Sequence, residues 1–492
     1  MLSSNRWQTA AVAMLVTLWA FPSLLNGQQQ IEILTLTQAV NEALVRNDRM
    51  ANQHDAGEQA ALAVHLARNN FQPKVVPNVL GSFGQSNVSN QTYRLDVNQR
   101  FITGTELRAG LGASSAQIPS LDPGAADIRF YNSDMTMTLS QPLLKGFGPT
   151  VTRRSLSSAE LRQADAARQQ TLSEQQVTVE VAAAYYRVVA QQALVDVARK
   201  SLERSNKLLE ASRAKLEAGL VSQLDVYRAQ QLVSQGEIQF SDAEAAVEDA
   251  FDQLRLVIGR EAETPIRVVT DIPNVTDQRR PVDEAVAQAL DKRPDLQSVR
   301  AAAADADHAI SVARNQLLPQ VDLNLALTRR ETADSLTDSF RFNRFQFATF
   351  FAVSMPVDRT PQLVDYQNAL IDRDRRRREV ETMRKRIAAD VKRAVRDSDR
   401  MTRNLAVSEA TVDIARKEVE VAQFRYERGL SNNLDVVTAE SGLLNAESRR
   451  ISIQADAAVV RLSLRATLGI LDPRKDLVEP VSAPSGDAAT HD

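Results

Sequence analysis

The sequence predicts a mainly α-helical chain, internally duplicated, with long antiparallel helical hairpins and strands contributed to a membrane β-barrel. Three observations carry that fold class. The 492 residues exceed one ordinary domain, yet 43% apolar, 25% charged and 5% aromatic content is too poor in large side chains for one compact core. The bias to Ala, Arg, Glu, Gln and Leu favours long helices instead. Residues 213–259 and 423–469 align without a gap at a shift of 210, sharing Gly219/Gly429, Leu220/Leu430, Asp225/Asp435, Leu254/Leu464 and Gly259/Gly469. After residue 30 no apolar run reaches the ~20 residues of a spanning helix. A mature chain that crosses lipid must then do so as a β-barrel, which satisfies every backbone group internally.

Taken in order, residues 1–27 predict a signal peptide: Arg6, an apolar run from Ala10 to Leu25, then polar NGQQQ, with cleavage between Ala20 and Gln30. A retained anchor is the other reading, opposed by the shortness of the run and by Pro22. No cysteine is present, so neither disulfides nor a lipidated cysteine are available. Residues 31–73 predict short helices. Their segments LTLTQAVNEAL (34–44) and LARNNFQP (66–73) recur at a shift of 246 in RPVDEAVAQAL (280–290) and VARNQLLP (312–319), which places the second repeat's short helices at 282–319. A proline-bearing linker, 260–281, joins the halves, and 471–492 reads as a disordered tail.

Strand regions are expected at 74–149 and 320–358. YRLDVNQRF, GTELRAGLG and MTMTLSQPL in the first, and VDLNLALT and RFQFATFFAVSMP in the second, alternate apolar with polar residues. That pattern suits a barrel wall with one face to lipid and one to a wet lumen; by alternation alone a soluble sandwich fits equally. Two strands are not a stable unit, so a barrel shared by several chains is expected. The first region spans 69 residues between Pro73 and Pro142 against 37 between Pro319 and Pro356, and LDVNQRFITG (95–104) echoes MTLSQPLLKG (137–146). An added hairpin is expected there, which widens the barrel, extends an external loop or folds below the membrane.

Long helical hairpins follow at 150–259 and 359–470. No proline or glycine lies between Pro149 and Gly219, and large residues recur every seven positions at Val181, Val188, Val195, Leu202, Leu209 and Leu216. Such a period means helices packed along their length, and 65–70 residues make a rod of roughly 100 Å. A rod that long needs neighbours, and two hairpins per chain enclose nothing wide, so several chains are expected to pack together.

Each hairpin turns at a repeated stretch, EAGLVSQLDV (217–226) and ERGLSNNLDV (427–436). Gly219 and Gly429 fall where a left-handed residue ends a helix. Ser222 with Asp225, and Asn432 with Asp435, have capping-box spacing for the next helix, and Leu220 and Leu430 are expected to pack across the corner. The shared spelling fits either one kind of partner for both tips or plain ancestry of the duplication.

In this order (signal, short helices, strands, helical hairpin, all duplicated) the chain resembles the TolC-type outer-membrane efflux proteins over 31–470. The pieces that carry the resemblance are ARNNFQP and ARNQLLP before the strands, SQPLLKGFG (140–148) and SMPVDR (354–359) after them, and the two tips. The resemblance implies a homotrimer in the outer membrane of a Gram-negative-type bacterium, with one shared β-barrel and a long periplasmic α-barrel. It also implies a periplasmic adaptor protein at the hairpin tips (Gly219, Leu220, Ser222, Gly429, Leu430 and Asn432), an inner-membrane pump of RND or ABC type, and contact with outer-membrane lipid. The function implied is the exit duct of a tripartite efflux system for small molecules; the alternatives are the duct of a type I protein secretion system and, more remotely, a pore-less periplasmic coiled-coil scaffold. Asp225, Tyr426 and Asp435 match family positions in the network that shuts the entrance. Ser431 and Thr438 depart from it, standing where an arginine and a second aspartate are expected, with Arg428 as a substitute cation.

Other chemistry finds little support. A formal charge of −3 gives no reason to expect nucleic acid or a strongly acidic substrate. The basic run RDRRRREVETMRKR (373–386) reads as a solvated helix face paired with nearby acids, or as a contact for anionic headgroups. His54 and His65 lie ~16 Å apart along a helix, too far to share a metal. Without H-E-x-x-H, G-x-S-x-G or a phosphate-binding loop, the chain is not expected to be an enzyme or to bind a cofactor.

Overall fold

The computed structural model describes residues 32–81, 89–118, 128–261, 263–270, 272, 281–341 and 344–477. The predicted signal peptide and the tail beyond 477 lie outside the described residues. The first half runs β1 (Glu32–Leu34), α1 (Leu36–Arg46), α2 (Asp48–Asn69), β2 (Lys74–Gly81), β3 (Ser89–Arg100), β4 (Glu106–Ile118), β5 (Ile128–Pro142), α3 (Pro149–Thr152), α4 (Arg154–Glu217) and α5 (Gln223–Ile258). The second runs β6 (Ile266–Val268), α6 (Val282–Lys292), α7 (Pro294–Gln316), β7 (Gln320–Ala333), α8 (Leu336–Ser339), β8 (Gln346–Ser354), α9 (Thr360–Glu427) and α10 (Asn433–Thr467).

The helices α4 and α9, 64 and 68 residues long, each reach about 100 Å at the rise of an α-helix. They are buried at intervals rather than throughout. At the equator Val181 and Val188 of the heptad pack with Leu34, Val40, Leu254 and Ile258. Nearer the tips Leu209 packs with Val226, Val233, Val419 and Val436. In the second repeat Ile387 and Val391 pack with Leu296 and Leu468. The repeat is exact enough to reuse one joint. Gly259 and Gly469 end α5 and α10 at φ +84° and +72°. A Cβ there would stand 2.8 Å from the Arg46 carbonyl and 3.1 Å from the Arg293 backbone. Only glycine lets the end of each short helix sit so close to the end of its long partner.

Three expectations are corrected at the equator. Residues 31–73 are not helix alone, and 260–281 is not linker alone: β1 and β6 pair in parallel, Ile33 opposite Arg267. Tyr185 of α4 ties this ribbon down, its hydroxyl 3.2 Å from the Leu34 carbonyl and 3.1 Å from that of Val269. The tail does not become disordered at 471 either. Leu471 and Leu477 are buried in the equatorial core, and Thr37 Oγ1 donates to the Leu477 carbonyl at 2.9 Å. Three-residue strands and a two-leucine clip are too short for any period to show.

The remaining strands form one antiparallel sheet in the order β2-β3-β4-β5-β7-β8. The added segment of the first repeat therefore widens the sheet, β3 and β4 lying between β2 and β5. Register sorts the side chains by face. One cross-strand row reads Val75, Val97, Ala109, Met137, Leu327 and Phe347, and β7 continues that face with Leu325, Leu323 and Val321. The opposite face holds Asn78, Arg94, Asp96, Asp134 and Thr136, where Arg94 donates to Asp96 at 2.8 Å and to Asp134 at 2.9 Å. An ionic network of this kind cannot face hydrocarbon, so the apolar face is the lipid face. It ends towards the far rim at Arg329 and Glu331, where Arg329 is covered by the α8 segment through the carbonyls of Arg341 and Arg344.

Where sheet meets helices, Arg154 at the start of α4 clasps Asp305 of α7 through both guanidinium nitrogens, Nη2 to Oδ2 at 2.8 Å. That hydrogen bond outweighs desolvation and holds the Asp305 carboxyl below the usual carboxylate range. Below it, the basic run is largely paired as a solvated face, with Arg375 on Asp372, Arg376 on Glu379, Arg377 on Asp307 and Arg384 on Glu381.

Candidate functional site

Both long helices end at the tips in the same way. The Leu220 N–H reaches back to the Lys215 carbonyl and the Gly219 N–H to Leu216; Leu430 and Gly429 repeat this with Arg425 and Tyr426. These are Schellman turns, and the glycines adopt φ +70° and +71°, a region costly for any residue with a Cβ. The next helix is capped differently at each tip. Asp225 accepts the Ser222 backbone N–H at 3.1 Å and its hydroxyl at 2.7 Å, with Arg228 at 3.6 Å. At the other tip Asn432 Oδ1 accepts the Asp435 N–H. The Asp435 carboxylate is exposed and has no partner among the described residues. Asp225 is thus engaged in capping, whereas Asp435 is left free.

The leucines do not pack across the corner as expected. Leu220 is 73% and Leu430 65% exposed, and Leu224 and Leu434 beside them are exposed too. A Schellman turn needs only its backbone bonds, and here no neighbouring side chain closes over the leucine. Each tip therefore offers two leucines to whatever meets it.

Between the two tips lies a compact polar lock. Tyr426 is buried, its hydroxyl 3.0 Å from Ser212 Oγ. Asn433, fully buried, donates from Nδ2 to Ser212 Oγ and to the Asp225 carbonyl, both at 2.9 Å. Lys215 donates to the Tyr426 carbonyl and stands 3.9 Å from the centre of its ring. About two turns further up, Glu440 is buried and accepts from Arg204 Nε at 2.6 Å and from Gln423 at 2.9 Å. Tyr426, Ser212, Asn433 and the Asp225 carbonyl thus bind the first hairpin to the second, and Arg204–Glu440 binds them again.

The departures from the family pattern have quiet neighbours. Thr438 back-bonds to the Leu434 carbonyl at 2.9 Å, and Ser431 Oγ is buried without a partner among the described residues. Arg428 does not act as an ion-pair cation here: its guanidinium lies over the Phe424 ring at 5.2 Å.

The structure places Tyr426 in this cluster and brings in only the backbone carbonyl of Asp225, and it adds Ser212, Lys215, Asn433, Arg204 and Glu440, which sequence reasoning did not name as site residues. A usable signal was present. At the shift of 210, Tyr426 faces Leu216, Asn433 faces Gln223, Glu440 faces Gln230 and Ser212 faces Ala422. The lock is assembled at positions where the two repeats differ. The arrangement clamps; it offers no nucleophile with a base, and among the described residues no group of acids and histidines could hold a metal.

Comparisons with known proteins bear on the family and the fold. A family model described as "Outer membrane efflux protein" matches residues 39–260 and 285–470. The chain is 28% identical to the toluene efflux pump outer membrane protein TtgF of Pseudomonas putida, over 73% of this chain and 74% of that protein. It is 28% identical to the fusaric acid resistance protein FusA of Burkholderia cepacia over 46% of this chain, and spans 42% of that protein. Its fold is similar to that of the outer membrane protein VceC of Vibrio cholerae, with a TM-score of 0.66 at 17% identity, covering 88% of this chain and 96% of that one.

Proposed function

The chain belongs to the outer membrane efflux protein family, the TolC-type family of the sequence resemblance, and from that premise we propose that three copies form the exit duct of a tripartite efflux system. It is an outer-membrane efflux channel with a long periplasmic extension, not an enzyme, and proteins of its family work as trimers with efflux-pump partners. The observation that carries the proposal is the single six-stranded sheet, apolar on one face and ionic on the other, unpaired at its β2 and β8 edges and continuous with helices about 100 Å long. Three such sheets closing edge to edge satisfy every strand, and three sets of helices extend the lumen through the periplasm. A pore-less scaffold would leave the apolar sheet face without a suitable solvent.

Within this duct the lock between the hairpins holds the lower end narrow, and Asp435, threefold repeated, rings the entrance. Three like charges converging on a narrow opening favour cations. Single-channel recordings of the purified protein in planar bilayers test both levels. Conductance from a three-chain species is expected, with Asp435→Asn lowering the preference for cations. Absent conductance would overturn the duct; unchanged selectivity would remove Asp435 from the lumen.

The adaptor is proposed to seat on Leu220, Leu224, Leu430 and Leu434, whose exposed side chains supply an apolar contact at both tips. Leu220→Asp with Leu430→Asp is expected to abolish capture of the trimer by its periplasmic adaptor while conductance is kept, since neither side chain supports the fold. Undiminished capture would place the adaptor elsewhere.

A further inference from the structure

On β7 the lipid face is made by alternate residues, Val321, Leu323, Leu325 and Leu327. A tilted strand climbs about 2.5 Å per residue across the membrane, so these four cover roughly 15 Å of an apolar band about 25 Å tall. The next outward position, Arg329, therefore falls inside the band, and Glu331 at its upper edge. Neither side chain can meet hydrocarbon bare.

The chain covers them itself. After β7 it turns back as α8, a single helical turn closed by Ser335, which accepts the Asp338 N–H at 3.2 Å and donates to its carboxylate at 2.6 Å. Two pins from the sheet hold this strap. Ser133 of β5, opposite Glu331, donates its hydroxyl to the Ser339 carbonyl. Arg329 donates to the carbonyls of Arg344 and, at 3.3 Å, of Arg341, and pairs with Glu331 at 2.5 Å. Ser133 and Ser339 are fully buried and Arg329 is 5% exposed. Ser133 shares its face of β5 with Met137, and Arg329 its face of β7 with Leu325. The strap therefore lies on the outside of the sheet and not over the lumen. What it turns outward is apolar. Leu336 and Phe340, one helical turn apart, are 47% and 38% exposed, and Phe345, where the chain re-enters the sheet, is 50% exposed. Just below them, Leu327 and Phe347 stand opposite one another on the lipid face, so the apolar surface continues without a break.

We propose that the α8 strap is a lipid-seated part of the barrel, shielding Arg329 and Glu331 from the acyl chains of the outer leaflet and presenting Leu336, Phe340 and Phe345 to those chains instead. This rests on the outer-membrane duct, whose helices lie on the periplasmic side and so put the strap in the outer leaflet. Arginine suits the pin, because its planar fork reaches two carbonyls and a carboxylate at once while its stem packs along apolar surface. Seated outside the wall, residues 335–341 take no part in covering the mouth of the pore.

Both tryptophans, Trp7 and Trp19, lie in the predicted signal peptide, so one tryptophan placed in the mature chain reports alone. Phe340→Trp is reconstituted into liposomes and its fluorescence quenched either by phospholipids brominated on the acyl chain or by aqueous iodide. On β8, Phe351→Trp, opposite Leu323, marks the lipid face and Phe350→Trp, opposite Asn324, the lumen. Bromolipid is expected to quench Phe340→Trp and Phe351→Trp, and iodide Phe350→Trp alone. Bromines near the headgroup are expected to quench Phe340→Trp more than bromines near the chain end. Quenching of Phe340→Trp by iodide and not by bromolipid, with Phe351→Trp still lipid-facing, would overturn the strap's place and leave the duct standing. No bromolipid quenching at any of the three positions would overturn the barrel as well. As an independent reading, replacing residues 335–341 by Asn-Gly is expected to lose the heat-resistant trimer, and Arg329→Leu with Glu331→Leu in the same chain to restore it. Loss that the two leucines leave unrepaired, or an excised chain that assembles as the parent does, would overturn the shielding.

Discussion

Replacing Glu440 with alanine is expected to open the lower end of the duct. The carboxylate is buried between hairpins and joined to Arg204 at 2.6 Å, and Arg204 Nη2 is already buried without a partner among the described residues. Removing the anion leaves a cation with three unsatisfied donors and no room for full hydration. Breaking a buried pair costs on the order of 3–5 kcal/mol; because the Arg204 side chain remains 25% exposed, the lower end of that range applies. The loss falls on the contact between hairpins rather than on either helix, so the tips should part before the chain unfolds. Bilayer recordings are expected to show a higher conductance, and limited proteolysis faster nicking near the tips, with the barrel's heat resistance kept. Arg204→Met with Glu440→Leu supplies the control, since an apolar pair of similar volume restores packing without a stranded charge. If the single variant conducts and resists protease as the parent does, the pair is not a clamp.

Much of the architecture was legible because it is periodic. Seven-residue repeats such as Val181, Val188 and Leu209 announce helices longer than any globule, and two-residue alternation in VDLNLALT announces a two-faced strand. Capping chemistry was legible for the same local reason, Gly219 and Ser222 lying within four residues of one another. What stayed hidden is long-range. Tyr426 meets Ser212 across 214 residues, and no local pattern marks a tyrosine whose hydroxyl finds a serine on another helix. The free state of Asp435 was hidden too, since Ser222–Asp225 and Asn432–Asp435 have identical spacing. In the first tip Asp225 accepts both the backbone N–H and the hydroxyl of Ser222, whereas in the second the capping bond runs from the Asp435 N–H to Asn432 Oδ1. The exposure of Leu220 and Leu430 departed from the local expectation, because each turn closes through backbone bonds and no neighbouring side chain covers its leucine.

Leu325→Arg tests the assignment of faces most severely. Leu325 lies in the middle of the apolar stretch of β7, opposite Leu139 on β5 and Thr349 on β8. Its neighbour Asn324, at the same depth, lies on the ionic face opposite Ser140 and Phe350. An arginine on the lipid face near the bilayer midplane costs about 2–4 kcal/mol in a transmembrane barrel, and a closed trimer carries that cost three times. Leu325→Arg is therefore expected to abolish the heat-resistant trimer and the protein's recovery from the outer membrane. Asn324→Arg, one residue and 3.3 Å of strand away, is expected to assemble normally and to shift the pore towards anions, because a lumen charge acts on ions in transit rather than on the fold. Two variants of the same chemistry thus separate by face alone. The opposite ranking, with Asn324→Arg lost and Leu325→Arg assembled, would turn the sheet inside out and move the Arg94–Asp134 network to the membrane, where its desolvation could not be met.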